Sequence, residues 1–329
     1  MIIDCHVHAV TDTPAHGRLS GRLRKKLTFR FLRWRLVVKH RQGEAFEREA
    51  EAILLRTIEG AEPLDAAVVL ALDAAHDEAG NRDEANTHLH VTNDYVADLA
   101  ARHPKVLLGA SVHPYRKDAL AELERCVARG AVLLKWLPPV QNLNPADPRC
   151  FPLYEALAHH RLPLLCHTGG EQSLPYVNAG VRDPVLLVPA LERGVTVIAA
   201  HCGTRSRLFE RSYLPAFVRL AHEHEHFYGD TSALNVPTRS YAFKTILRDE
   251  VVRRKLVHGS DWPILCLPTW RAGGLRSLRL LFGEKNWMRR DVLTKQALGL
   301  DDAYWHRAAT LLRLPAGRPQ PAATATAPG

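Results

Sequence analysis

Short apolar runs that end in polar clusters recur along this chain, and a stretch with helical spacing follows each one. The runs are "MIIDCHVH" at the start, "DAAVVLALD" (Asp65 to Asp73), "KVLLGASVHP" from Lys105 and "AVLLKWLPP" from Ala131. They continue with "LPLLCHTGG" from Leu162, "VTVIAAHCG" from Val195, "FYGDTS" from Phe227 and "KLVHGSDWP" from Lys255. Continuous apolar runs of this length suit strands buried on both faces, as in a parallel sheet. Between them lie patterns such as "RKDALAELERCVARG", "CFPLYEALAHH" and "DPVLLVPALERG", with Asp or Pro near the start and often Gly at the end, the marks of helix boundaries. Eight β/α alternations predict a closed (β/α)8 TIM-like barrel of the α/β class. No G-x-G-x-x-G follows the first run and no G-x-x-x-x-G-K-[ST] occurs, so dinucleotide and P-loop readings lose their main support.

The chain has 329 residues, 46% hydrophobic, enough for one large core. Residues 1–315 read as a single barrel, with roughly 11–63 a helical insertion between strands 1 and 2, and 316–329 as a disordered tail without apolar periodicity. No apolar run approaches the ~18 residues of a membrane span, and the first residues lack a signal peptide's basic and apolar regions. The expectation is a cytoplasmic protein with no membrane span, a small-molecule substrate, no nucleic-acid partner, and homo-oligomerisation left open. Six cysteines without a C-x-x-C pair argue against a disulfide framework or a zinc ribbon.

The net charge is +9, and much of the excess lies in Arg18 to Gln42, where basic residues interleave with Leu, Phe, Trp and Val. Such a segment suits a membrane surface or nucleic acid. The plainer reading, which we favour, is an insertion whose apolar face packs on the barrel and covers its mouth. Its arginines, Arg22 and Arg24 among them, would then favour an anionic substrate.

In a (β/α)8 barrel, chemistry sits at the C-terminal ends of the strands. Those ends supply His6 and His8 from strand 1, Lys135 from strand 4, His167 from strand 5, His201 from strand 6 and Asp261 from strand 8. Imidazole nitrogens and carboxylate oxygens are ligands for zinc and related divalent ions. His6 and His8 share one face of a strand because side chains alternate with period two. The same alternation is expected to turn Cys5, Cys166 and Cys202 away from the barrel interior as packing thiols. A lone His167 or His201 would ordinarily be a satisfied polar residue; the coincidence of four strand ends is what points to a metal. Asp73, His76, His113 and Asp230 also end or follow strands and suit pocket or turn roles alike. Glu171 and Arg205 are weak candidates for substrate contacts, and Trp262 for filling space beside the metal.

The pieces "DCHVH", "LLCHTGGE", "IAAHCG" and "VHGSDWP" together resemble the amidohydrolase superfamily. Within it they resemble the group that includes aminocarboxymuconate-semialdehyde decarboxylase. The resemblance spans nearly the whole barrel and implies one or two divalent metals, usually zinc. It assigns His6, His8, His167 and Asp261 to a single ion, with His201 beside the bound water as acid/base or stabiliser. In binuclear relatives a carbamylated lysine on strand 4 bridges two metals and His201 ligates the second. Lys135 stands at that position, although the decarboxylase-like group generally lacks it, so one and two metals both remain open. A divalent ion lowers the pKa of bound water to roughly 7, and Asp261 and His201 are placed for the proton transfers. Hydrolysis of an amide, lactone or ester carbonyl is the first reading. Non-oxidative decarboxylation of an aromatic or unsaturated carboxylate is the alternative, because the ligand motif serves both.

Overall fold

The computed structural model describes residues 1–267 and 275–314; the tail expected to be disordered, 316–329, lies outside the described residues. All eight apolar runs form strands. These are β1 (Ile3–His8), β2 (Ala66–Leu70), β3 (Val106–Ala110), β4 (Leu133–Trp136), β5 (Leu164–His167), β6 (Val197–Ala200), β7 (Phe227–Asp230) and β8 (Leu256–Val257). They are parallel and lie side by side in chain order. The ring is joined between its ends by backbone hydrogen bonds from Cys5 to His258, from Asp261 to His6 and from His8 to Trp262, each 2.8–3.0 Å. The chain is therefore a TIM barrel.

Alternation along each strand sorts its side chains into two layers. Leu134, Leu164, Cys166, Val197 and Ala199 pack outward against the helices, while Leu133, Leu165, Ile198 and Val257 fill the barrel interior. The helix Leu214–Glu223 shows the complementary pattern, burying Leu214, Phe217, Leu220 and Ala221 on one stripe. Each such Leu or Phe contributes about 1.5–3 kcal/mol through burial. The helix Asp302–Leu311 closes the bottom of the barrel with Ala308 and Ala309, capped at its start by the Asp301 side chain.

Two expectations change. Cys166 and Cys202 do pack on the helix side, but Cys5 belongs to the interior cluster. The cause is a β-bulge. Asp4 pairs with Ala67 and Val7 with Val69, so Cys5 and His6 together oppose one residue of β2. An extra residue on the strand shifts which side chains face inward. The insertion, for its part, is not wholly helical. It opens with a short strand, Gly17–Leu19, paired antiparallel to Leu89–Val91, a strand that no sequence pattern marked. Helices α1 (Gly21–Lys25), α2 (Leu27–Arg35) and α3 (Gly43–Glu59) follow. Of the basic segment's apolar residues, Leu23 is buried and Phe29, Leu32 and Leu36 pack against the core, whereas Leu27, Trp34 and Val37 stay exposed. Among the described residues no helix is long and apolar enough to cross a membrane.

Candidate functional site

The interior layer that is apolar at the bottom of the barrel becomes polar at the top. Two residues above Leu133 stands Lys135; above Leu165, His167; above Tyr228, Asp230. With His6 and His8 from β1, His201 just beyond β6 and Asp261 just beyond β8, these residues form one cluster. All but His8 are buried.

His6 Nε2, His8 Nε2 and Asp261 Oδ1 converge, at 3.1 Å between the two nitrogens and 3.4 and 3.2 Å from each to the oxygen. Ligands held tetrahedrally at zinc distances of about 2.0–2.1 Å sit about 3.3 Å from one another, so this spacing fits a divalent ion. A second grouping, His6 with His201 and Asp230, also falls within ligand range. It fits less well, because His6 Nδ1 and Asp230 Oδ2 are 2.7 Å apart, a hydrogen-bond distance, and the other Asp230 oxygen is already filled by donors.

Asp230 fixes the tautomers of the cluster. Its Oδ2 accepts from His6 Nδ1, which leaves His6 Nε2 unprotonated, its lone pair facing the Lys135 amine and the His8 and Asp261 side chains. Its Oδ1 accepts from the His201 and Ser232 amides and from the Ser232 hydroxyl. The Ser232 proton being used there, Ser232 Oγ must accept from His201 Nδ1 (2.8 Å), which also reaches the Ser232 carbonyl (3.0 Å). His201 Nε2 is then an acceptor, and the His167 Nδ1 at 3.2 Å must donate to it. His167 Nε2 is left buried without a partner, a nitrogen lone pair suited to a metal. These proton positions follow from counting donors and acceptors around the network. A carboxylate behind a ligating histidine is the usual outer support of metal sites.

Electrostatics agree. Burial lowers the His6 imidazole to about 4, aided by the nearby Lys135 charge, and lowers His201 to about 3, aided by Arg239. Burial and then His201 push His167 far down as well. All three are neutral ligands or bases near pH 7. Burial works against the carboxylates of Asp230 and Asp261, yet the facing histidines hold both well below the usual range. Burial lowers the Lys135 ammonium, whose Nζ lies 3.0 Å from His6 Nε2.

The backbone around the site is specialised. His201 (φ 59°) and Asp261 (φ 63°) occupy the left-handed region, which costs a non-glycine residue energy and clusters at functional positions. At Gly259 a Cβ would lie 3.0 Å from the Cβ of His6, so glycine there gives His6 its room.

The remaining expected residues divide. Glu171 lies at the rim, its Oε2 3.8 Å from His167 Nδ1, with Oε1 receiving the Ser173 and Leu174 amides. Trp262 borders the cleft beside Asp261. Arg205 instead stacks on Tyr241, its guanidinium 4.7 Å from the ring centre, and does not line the clefts beside Asp261. Arg239 takes that side. It is buried, donates to the Thr204 carbonyl and hydroxyl and to the Gly170 carbonyl, and lines a cleft with Asp261 and Glu171. The sequence signal for it, an arginine in "NVPTRSY" beyond strand 7, is too generic to find it. Asp73, His76 and His113 gather elsewhere, around Arg116 and Ser111, in and beside a separate polar pocket. Arg24 is paired with Asp12 and Arg18 with Glu84, so these arginines of the insertion are held by the protein's own acids.

Comparison with known proteins agrees with this architecture. A solved TIM-barrel protein from Bordetella bronchiseptica, described as uncharacterised, superposes with a TM-score of 0.58 at 17% identity, covering 91% of this chain and 99% of the other. A candidate 2-pyrone-4,6-dicarboxylic acid hydrolase from Pseudomonas putida gives 0.54 at 16% identity, with 94% of each chain covered. A candidate metal-dependent hydrolase from Lactobacillus casei gives 0.50 at 12%, covering 94% and 95%. No curated protein sequence matches significantly. The amidohydrolase family model, however, matches residues 3–291. With its barrel, its His-x-His strand and its cluster of ligand-type side chains, the chain belongs to the amidohydrolase family and is an enzyme of that superfamily.

Proposed function

We propose that the protein is a metal-dependent hydrolase acting on an amide, lactone or ester carbonyl of a small molecule, with His6, His8, His167 and Asp261 holding the ion. The observation that carries this is the convergence of His6 Nε2, His8 Nε2 and Asp261 Oδ1 within 3.4 Å; His167, whose Nε2 has no partner, lines the same cleft. Three imidazoles and a carboxylate favour zinc. When bound, such a cation polarises a carbonyl and makes water a competent nucleophile near neutral pH.

The side chains divide the remaining work. Asp261 borders both clefts that meet at the cluster, so it is placed to take the nucleophile's proton and return it to the leaving group. His201, tied through Nδ1 to Ser232, keeps Nε2 unprotonated and facing His167, and so holds the His167 proton on Nδ1 and its Nε2 lone pair free. Arg239 adds a fixed positive charge on the side of developing negative charge. Lys135 decides the metal count: a carbamate on its Nζ supports two ions, and a free amine supports one.

The test is metal content per chain, with mass spectrometry of Lys135, followed by turnover of a screened ester, lactone and amide panel before and after chelation. Loss of turnover on chelation and in Asp261→Asn is expected. Undiminished turnover in both would refute the reading, and release of CO2 without water uptake would reassign the enzyme to decarboxylation.

A further inference from the structure

The metal cluster opens on one side into a cleft whose walls are almost wholly hydrocarbon. His8, His167, His201 and Asp261 form its near end, and Leu19, Leu23, Phe29, Leu32, Phe46 and Leu54 form its far wall. The room inside it is about 120 Å³, and one side opens to solvent.

The roof over this cleft is fixed in place. Asp12 receives Arg24, the Gly43 amide (2.7 Å) and the Leu19 amide (3.3 Å), tying the start of the insertion to the starts of α1 and α3. Glu47 of α3 receives the Asp12 and Thr13 amides at 2.8 and 3.0 Å, the Thr13 hydroxyl and His16. Both carboxylates are nearly buried. Apolar walls held apart in this way forgo the packing that protein interiors ordinarily reach. An apolar ligand group restores it.

We infer that the substrate carries an extended apolar group, an acyl chain or an arylalkyl unit, which fills this cleft while its carbonyl reaches Asp261 and His201. Arg24, held by Asp12, is not free for the anion expected of it, and the cleft wall that the insertion supplies is hydrocarbon apart from Arg33 and Glu51. This inference rests on reading the cluster as the reaction centre, but the preference of the cleft does not depend on the ion.

The test is calorimetric titration of n-alkanoates, from acetate to decanoate, into zinc-loaded protein and into chelator-treated protein. Affinity is expected to rise about fourfold per methylene over several members, in both forms. Leu32→Glu and Leu36→Gln, on the partly buried face of the insertion, should each flatten the series. An affinity independent of chain length, or the same rise in both variants, overturns the inference. A persistent rise in a protein that retains no metal and whose acetate binding ignores chelation would refute the metal reading and leave the cleft assignment standing.

Discussion

Replacing Asp230 by Asn removes one charge, keeps the shape, and disturbs the histidines through their protons. In the native network Asp230 Oδ2 is 2.7 Å from His6 Nδ1, and Oδ1 receives the His201 amide at 2.8 Å. An Asn oxygen can serve only one of these sides. If it stays with the His201 amide, its NH2 faces His6 Nδ1, which must then accept. The His6 proton moves to Nε2, and the lone pair aimed at His8 and Asp261 is lost. If the amide turns over, its NH2 meets the His201 and Ser232 amides, donor against donor. Either arrangement costs at least one charge-assisted hydrogen bond, about 1.5–3 kcal/mol. Outer-shell replacements of this kind weaken metal binding about 10–100-fold, which corresponds to about 1.4–2.8 kcal/mol.

The assay is a zinc competition titration against a chelating dye at neutral pH, with circular dichroism to verify that the variant folds. Ser232→Ala is the control. It breaks the hydroxyl link from Asp230 to His201 but leaves the Ser232 carbonyl, 3.0 Å from His201 Nδ1, and the whole contact to His6. It should weaken zinc less than tenfold. A folded Asp230→Asn protein with native zinc affinity, or one no weaker than Ser232→Ala, would refute the tautomer argument.

Other perturbations probe other parts. Gly259→Ala places a Cβ 3.0 Å from that of His6; overpacking should cost about 1–3 kcal/mol in urea unfolding, with zinc weakened in parallel. Glu47→Ala strands two backbone amides at the start of the insertion and should cost about 2–5 kcal/mol, with faster proteolysis between residues 12 and 42. His113 reports acid stability away from the candidate metal site. Its Nε2 donates to the Gln141 carbonyl (2.9 Å) and its Nδ1 accepts from the Tyr115 amide (3.1 Å), so a second proton has no room. Burial and the neighbouring His76 lower it to about 4. The unfolded chain titrates near ~6.5, so its contribution is full above that pH and is lost as pH falls toward 4, up to about 3 kcal/mol. His113→Gln should lessen the fall in unfolding free energy between pH 6.5 and 4; an unaltered slope would refute the assignment.

The barrel was legible because burial on both faces leaves a sequence mark: every apolar run became a strand, in order. The candidate ligands were legible for a related reason. Lys135 and His167 each lie two residues beyond an interior leucine, Leu133 and Leu165, so a polar residue there stands out. Cys5 shows the limit of that rule. A one-residue bulge reverses the inward face, and nothing in "DCHVH" marks the bulge.

What stayed hidden depends on contacts between segments far apart in the chain. Asp230 read as a strand end or a turn, because its role exists only when strand 7 brings it against His6, 224 residues away, and against His201. Arg205 lies beside the histidine motif in sequence yet stacks on Tyr241, while Arg239, distant in sequence, reaches the site. The insertion is the sharpest case. Its arginines dominate its composition and suggested an anion, but Arg18 and Arg24 turn to nearby acids and Arg33 alone among its arginines is found in the cleft lining, while the leucines among them turn inward. Leu23 and Leu32 line the cleft, and Arg24 is held by Asp12. A segment's net charge therefore describes its outer face. What it offers a substrate is set by the residues it buries, and here those are hydrocarbon.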